Sequence, residues 1–144
     1  MADQQTSPIK AIIFDFFGVM RVAGSTGAVI NRPLLDLAAD LKKTYKIAVL
    51  SNTGSTRLSD FLPPENMALF DAVITPEQSP QYVKPAPEAY LAVAEKLEVE
   101  PEACVMIDDL AALCQGARAV GMQAIEYISF AQLKRDLDVL LSRG

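Results

Sequence analysis

The chain contains no histidine, and that absence removes Ser-His and Cys-His nucleophile pairs together with the His-based zinc sites. Cysteine is nearly absent too. Cys104 lies in an apolar strand-like run and Cys114 in a helix-like one, placements that suit buried, reduced thiols better than a disulfide framework or a metal site. Positive charge is in deficit, with 13 Lys and Arg against 18 Asp and Glu and a net charge of −5. Without a basic patch or aromatics interleaved with cations, nucleic acid has no electrostatic foothold. Any anionic ligand must be met locally. No apolar run approaches the ~20 residues of a membrane helix. The N-terminal MADQQTSP lacks the basic start of a secretory signal, and Asp15 interrupts the apolar stretch behind it. The expectation is a cytoplasmic protein with neither a membrane nor a nucleic-acid partner. Carboxylates, hydroxyls and lysines are left to carry any chemistry.

What is present is a chain of 144 residues, 51% hydrophobic, which is the size of one domain and too apolar for disorder. Residues 1–8 read as a flexible tail and 9–144 as a single domain. Five short runs rich in Ile and Val, at 11–15, 47–51, 71–75, 103–108 and 123–127, are mostly continuously apolar, as strands covered on both faces are. Helical patterns lie between them. Leu34, Leu37, Ala38 and Leu41 follow Asn31 as a cap and Pro33 near the start, and Pro87 opens a second helix. A third runs from about Leu110 to Val120 and stops at Gly121, and the last begins at Ser129 with Gln132 as a capping-box partner. Alternating strand and helix predict an α/β fold, a three-layer Rossmann-like sandwich around a mostly parallel five-stranded sheet. Two loops, 21–28 and 75–87, are expected to border its rim.

In such sheets ligands bind outside the carboxyl ends of the strands. Asp15 ends the first run, Ser51 and Asn52 the second, and Asp108 and Asp109 the fourth, while Lys84 precedes the second long helix. This inventory suits phosphoryl transfer. Carboxylates hold Mg²⁺, one carboxylate attacks phosphorus, and Ser51 and Lys84 engage the phosphoryl oxygens. Plainer readings stand beside it. Asp15 could be a turn residue, and Asp108 could cap the following helix while Asp109 favours its N-terminus. Ser51 with Asn52 could be turn chemistry, and Lys84 a solvated lysine. Phe16, Tyr82 and Tyr90 read as packing residues.

The stretches IIFDFFGV, AVLSN, KPAPEAY and VMIDDLAALCQGARAVGM resemble, in order and spacing, the four motifs of the haloacid dehalogenase-like (HAD) hydrolase superfamily across residues 11 to 122. The resemblance implies a nucleophilic Asp15, phosphate-binding Ser51 and Asn52, and a charge-stabilising Lys84. It also implies a Mg²⁺ held by Asp15, Asp108, Asp109 and the backbone carbonyl of Phe17. Two departures qualify it. Phosphatases of the superfamily usually carry a second aspartate where this chain has Phe17, an acid-base group of a kind worth about 10²–10⁴ in rate. The 35 residues between Asp15 and Ser51 and the 32 between Ser51 and Lys84 leave no room for a cap domain. An open site favours a bulky or macromolecular phosphorylated substrate, or a lid lent by another chain. The expected activity is that of a capless, Mg²⁺-dependent phosphatase working through an aspartyl phosphate, slow for want of the second acid. The alternatives are an inactive or feeble member that binds phosphate or a protein, and a 2-haloacid dehalogenase, which the acidic pair and the missing cap disfavour. Receiver domains share the inventory but place their acidic pair near the first strand.

Overall fold

The structure, a computed structural model, describes residues 8–24, 27–53, 58, 60 and 62–142. Most of the predicted tail, residues 1–7, therefore lies outside the described residues. The elements in chain order are β1 (Ala11–Phe14), β2 (Arg21–Gly24), β3 (Gly27–Ile30), α1 (Arg32–Leu41), β4 (Lys46–Leu50), α2 (Pro64–Met67), β5 (Ala72–Ile74), α3 (Pro87–Leu97), β6 (Cys104–Asp108), α4 (Ala111–Ala119), β7 (Gln123–Glu126) and α5 (Phe130–Leu141). Five strands form one parallel sheet in the order β5-β4-β1-β6-β7. Its centre is β1, where Ile13 stands between Ala48 of β4 and Met106 of β6.

Burial of β1 on both faces follows from its continuous apolar run AIIF, whose alternate side chains enter different layers. Ile12 and Phe14 pack with Leu34 and Leu35 of α1 and Leu133 and Leu137 of α5. Ala11 and Ile13 face the opposite layer, with Tyr90, Val93 and Leu97 of α3 and Ala117 of α4. Each large apolar side chain so buried contributes about 1.5–3 kcal/mol, and their two-sided arrangement makes the sandwich three layers thick. The chain steps from β1 outward to β4 and β5, then returns across the sheet to β6. That reversal at β1 opens a crevice beyond its carboxyl end.

The strand ends agree with the sequence-based ranges to within one residue, and the helix signals lie where they were read. Asn31 accepts a hydrogen bond from the Leu34 N–H at the start of α1, and Ser129 and Gln132 form a full capping box on α5. Gly121 sits at φ +100° directly after α4, where the Gly121 N–H bonds the Arg118 carbonyl and the Met122 N–H that of Ala117. This pair of bonds is the Schellman arrangement that a left-handed residue permits. Segment 21–28 departs from expectation. Read as a loop, it supplies β2 and the start of β3, an antiparallel hairpin with Val22 opposite Val29. Four-residue strands with a glycine at the inner end of each carry too little periodicity to stand out from a loop. The short helix α2 also escaped the sequence pattern.

Candidate functional site

Asp15 follows β1 directly, and its N–H bonds the carbonyl of Ile107 in β6, so the central strand pair sets its position. Asp108 is the last residue of β6 and is fully buried. Its Oδ1 accepts the Leu110 N–H at 3.2 Å, and its backbone carbonyl accepts the Tyr127 N–H at 2.8 Å and the Cys114 thiol at 3.6 Å. Asp109 turns back over the first loop. There Gly18, at φ +92°, presents bare backbone to the Asp109 carboxylate, which a Cβ at that position would overlap. Glycine is required at position 18 on both counts. Carboxylate oxygens of Asp15, Asp108 and Asp109 all lie within 4.8 Å of one another.

Lys84 joins this group from the loop ahead of α3. Its Nζ donates to Asp15 Oδ1 at 2.9 Å and to Asp108 Oδ2 at 2.8 Å, with a side chain only 1% exposed. Among the described residues, Lys84 Nζ thus makes two of the three hydrogen bonds that an ammonium can donate. Burial pushes the Asp15 carboxyl up to about 7; the Lys84 charge pulls against this and the Asp108 charge adds to it. The Asp109 carboxyl is likewise raised, first by burial and then by Asp108. Three acids around one ammonium leave a surplus of negative charge, and a divalent cation bound by oxygen ligands would relieve it.

Ser51, almost completely buried at the end of β4, accepts the Thr53 N–H on its Oγ at 3.1 Å. Asn52 reaches across to the loop that carries Lys84. Its Oδ1 accepts the Lys84 N–H at 2.9 Å and its Nδ2 donates to the Lys84 carbonyl at 3.3 Å, a two-point clasp on the backbone of the lysine. Asp15, Phe17, Ser51, Asn52, Thr53, Lys84, Asp109, Leu110 and Leu113 line a cleft of about 200 Å³. Phe17 packs edge to face on the fully buried Phe16, ring centroids 4.9 Å apart.

All seven residues singled out from the sequence therefore converge on one rim, with Asp108 immediately behind the cleft wall. Sequence reasoning missed Gly18, Thr53, Leu110 and Leu113. A glycine three residues after a strand-end aspartate was the one available signal for Gly18. The leucines read only as helix residues. The two cysteines are free and buried, and burial raises both thiols, that of Cys104 to about 12. Tyr90 is a core residue whose hydroxyl donates to the Leu113 carbonyl at 2.7 Å. No helix of the described residues is long and apolar enough to cross a membrane.

A parallel α/β sheet with clustered carboxylates and one lysine beyond its central strand is the arrangement that the four sequence motifs implied. Residues 32–121 match the family described as haloacid dehalogenase-like hydrolase, and the chain belongs to that family. It is 39% identical over 127 residues to the fructose-1-phosphate phosphatase YqaB of Escherichia coli (strain K12), covering 88% of this chain and 61% of that protein. It is 37% identical over 95 residues to the phosphatase MT3486 of Mycobacterium tuberculosis, covering 65% and 42% respectively. The chain thus spans less than two thirds of these curated relatives. Its fold is similar to that of a HAD family enzyme of Bacteroides thetaiotaomicron solved with magnesium and inorganic phosphate. The TM-score is 0.73 at 17% identity, with 87% of this chain and 98% of that one covered.

Proposed function

We propose that the protein is a Mg²⁺-dependent phosphatase that transfers the phosphoryl group of a phosphate monoester to Asp15 and then to water. The observation that carries this reading is the ion-paired cluster at the end of β1, in which Lys84 bridges Asp15 and Asp108 and Asp109 completes an acidic trio. Asp15, Asp108 and Asp109 would hold the cation, with the Phe17 carbonyl as a further oxygen. When bound, the cation offsets the repulsion between an anionic nucleophile and an anionic phosphate.

The protein's own residues account for the remaining steps. Asp15 presents a carboxylate oxygen to phosphorus and becomes an acyl phosphate as the bond to the leaving group breaks. Ser51 Oγ and the third Lys84 N–H donate to the phosphoryl oxygens, whose charge is spread over three atoms. The Asn52 clasp fixes the loop from which Lys84 reaches. Water then cleaves the acyl phosphate, releasing inorganic phosphate and regenerating Asp15. The phosphatase names of the Escherichia coli and Mycobacterium relatives support this chemistry over carbon-halide hydrolysis. Phe17 in the cleft favours one second reading, a feeble member that binds phosphate without useful turnover.

The deciding experiment is hydrolysis of 4-nitrophenyl phosphate with and without Mg²⁺ by wild type and Asp15→Asn. The expected result is slow, Mg²⁺-dependent turnover that Asp15→Asn lowers by about 10³-fold or more. Turnover indifferent to Asp15→Asn would remove the nucleophile assignment. Phosphate binding without turnover would establish the second reading.

A further inference from the structure

We infer that the cleft selects phosphoryl donors whose leaving group departs unprotonated from an apolar body, aryl phosphates above all. The inference rests on the phosphatase reading of the same site and narrows its substrate class. Ser51, Asn52, Thr53 and Lys84 bring polar side chains to the cleft lining, whereas the side chains of Phe17, Leu110 and Leu113 are hydrocarbon. Leu110 is 55% exposed at the mouth, an apolar side chain held open beside the reactive acids. A substrate body seated on those three residues is met by hydrocarbon, so a sugar would leave hydroxyl groups without partners there, whereas an aromatic ring would bury apolar area.

The same wall bears on the bond that breaks. A leaving oxygen with a high conjugate-acid pKa needs a proton as its bond to phosphorus cleaves, and that proton needs a donor within hydrogen-bond reach. Among the described residues, the carboxyls lining the cleft are Asp15 and Asp109. The first is the attacking group, and the second belongs to the trio that would hold the cation as a carboxylate. Ser51 and Thr53 offer hydroxyls too weakly acidic to protonate a departing alkoxide, and the remaining Lys84 N–H is committed to the phosphoryl oxygens rather than to the leaving group. In the step so constrained, Asp15 forms the new bond to phosphorus, the P–O bond to the aryl group breaks, and the electron pair leaves on a phenolate that takes its proton from solvent. Water hydrolyses the resulting acyl phosphate, giving inorganic phosphate.

The test is a leaving-group series with the whole protein in Mg²⁺: kcat/KM for substituted aryl phosphates, for acetyl phosphate and for fructose 1-phosphate. Wild type is expected to lose about tenfold in rate for each unit of leaving-group pKa, with fructose 1-phosphate at least 100-fold below 4-nitrophenyl phosphate. Phe17→Asp, which places a carboxylate on the apolar wall, should flatten that dependence and raise fructose 1-phosphate turnover about 100-fold, within the range for general acids. Leu110→Ser, at an exposed position, should raise the ratio of the aryl to the acetyl phosphate KM about fivefold. A flat series in wild type, measured without any variant, overturns this inference and leaves the phosphatase reading standing. An unchanged KM ratio in Leu110→Ser overturns the apolar half of it. No turnover on any donor overturns the phosphatase reading and this inference with it.

Discussion

Asp15 is held in the form least comfortable for a carboxylate in the absence of a cation. Burial raises it to about 7, even with the Lys84 ammonium 2.9 Å away. Because the folded pKa lies above the unfolded value, the folded protein binds the extra proton between about pH 4 and 7. Its stability therefore falls as pH rises through that window. Removing the charge should reverse this. In EDTA, Asp15→Asn is expected to match wild type near pH 4 and to exceed it by about 1–3 kcal/mol at pH 8, given 1.36 kcal/mol per pKa unit, as read by urea denaturation. Equal stabilities at pH 8 would show that the ion pair with Lys84 fully offsets the burial. Asn52 makes a second prediction at this scale. If its two bonds to the Lys84 backbone serve to position the lysine, Asn52→Ala should lower kcat about tenfold, a loss of ~1.4 kcal/mol, with KM little changed. Asn52→Asp, which keeps the acceptor of the shorter bond, should recover part of that loss. A raised KM and a weakened inhibition by inorganic phosphate would instead make Asn52 a phosphate ligand.

Between elements, the sheet is tied at the end opposite the site by Asp71. Its Oδ2 accepts the Ile47 N–H at 2.9 Å, its own N–H bonds the Ile47 carbonyl at 2.7 Å, and Lys42 Nζ meets its Oδ1 at 3.0 Å. Burial would raise this carboxyl, but the Ile47 bond and Lys42 outweigh it and the pKa falls below the usual value. With a depressed folded pKa the contribution is present above the unfolded pKa of about 4 and lost as pH falls through the folded one. The side chain is 36% exposed, so solvent screening limits its worth. Asp71→Asn should cost about 0.5–1 kcal/mol at pH 7 and little at pH 3, again by urea denaturation. The elements carrying these contacts were largely legible in the sequence, because continuous apolar runs and capping residues act locally. The β2-β3 hairpin was not, because its strands are four residues long and its pairing is a choice between segments rather than a property of either. The cleft's apolar wall was equally hidden. Leu110 and Leu113 look like any helix-proximal leucines until the turn after β6 brings them beside Phe17.

For the whole molecule, a divalent cation held by the acidic trio would make stability depend on that cation. A ligand that binds only the folded state stabilises by mass action, about 2.7 kcal/mol at 100 times its Kd. Saturating Mg²⁺ should raise Tm by about 5–11 °C for that gain in a chain of this size. The rise should be larger at pH 8 than at pH 5.5, since the cation competes with the proton that Asp15 retains below about 7. Differential scanning fluorimetry with Mg²⁺ and EDTA reads this directly, and Asp15→Asn should shrink the effect. A Tm independent of Mg²⁺ at both pH values would remove the cation from the trio.

By itself the sequence determined the layers, the five strands of the parallel sheet and the seven residues that meet at its rim. Apolar periodicity, caps and strand-end polar residues are recorded in neighbouring positions, and four motifs in fixed order left little freedom in how they assemble. Only the tertiary structure decided what those residues do to one another. Lys84 is shared between two aspartates 69 and 24 residues distant, Asn52 is spent on a backbone 32 residues away, and Gly18 makes room for Asp109. These are matters of distance and burial, which set pKa, hydrogen-bond partnership and cleft polarity, and such quantities arise only once separate segments have been packed together.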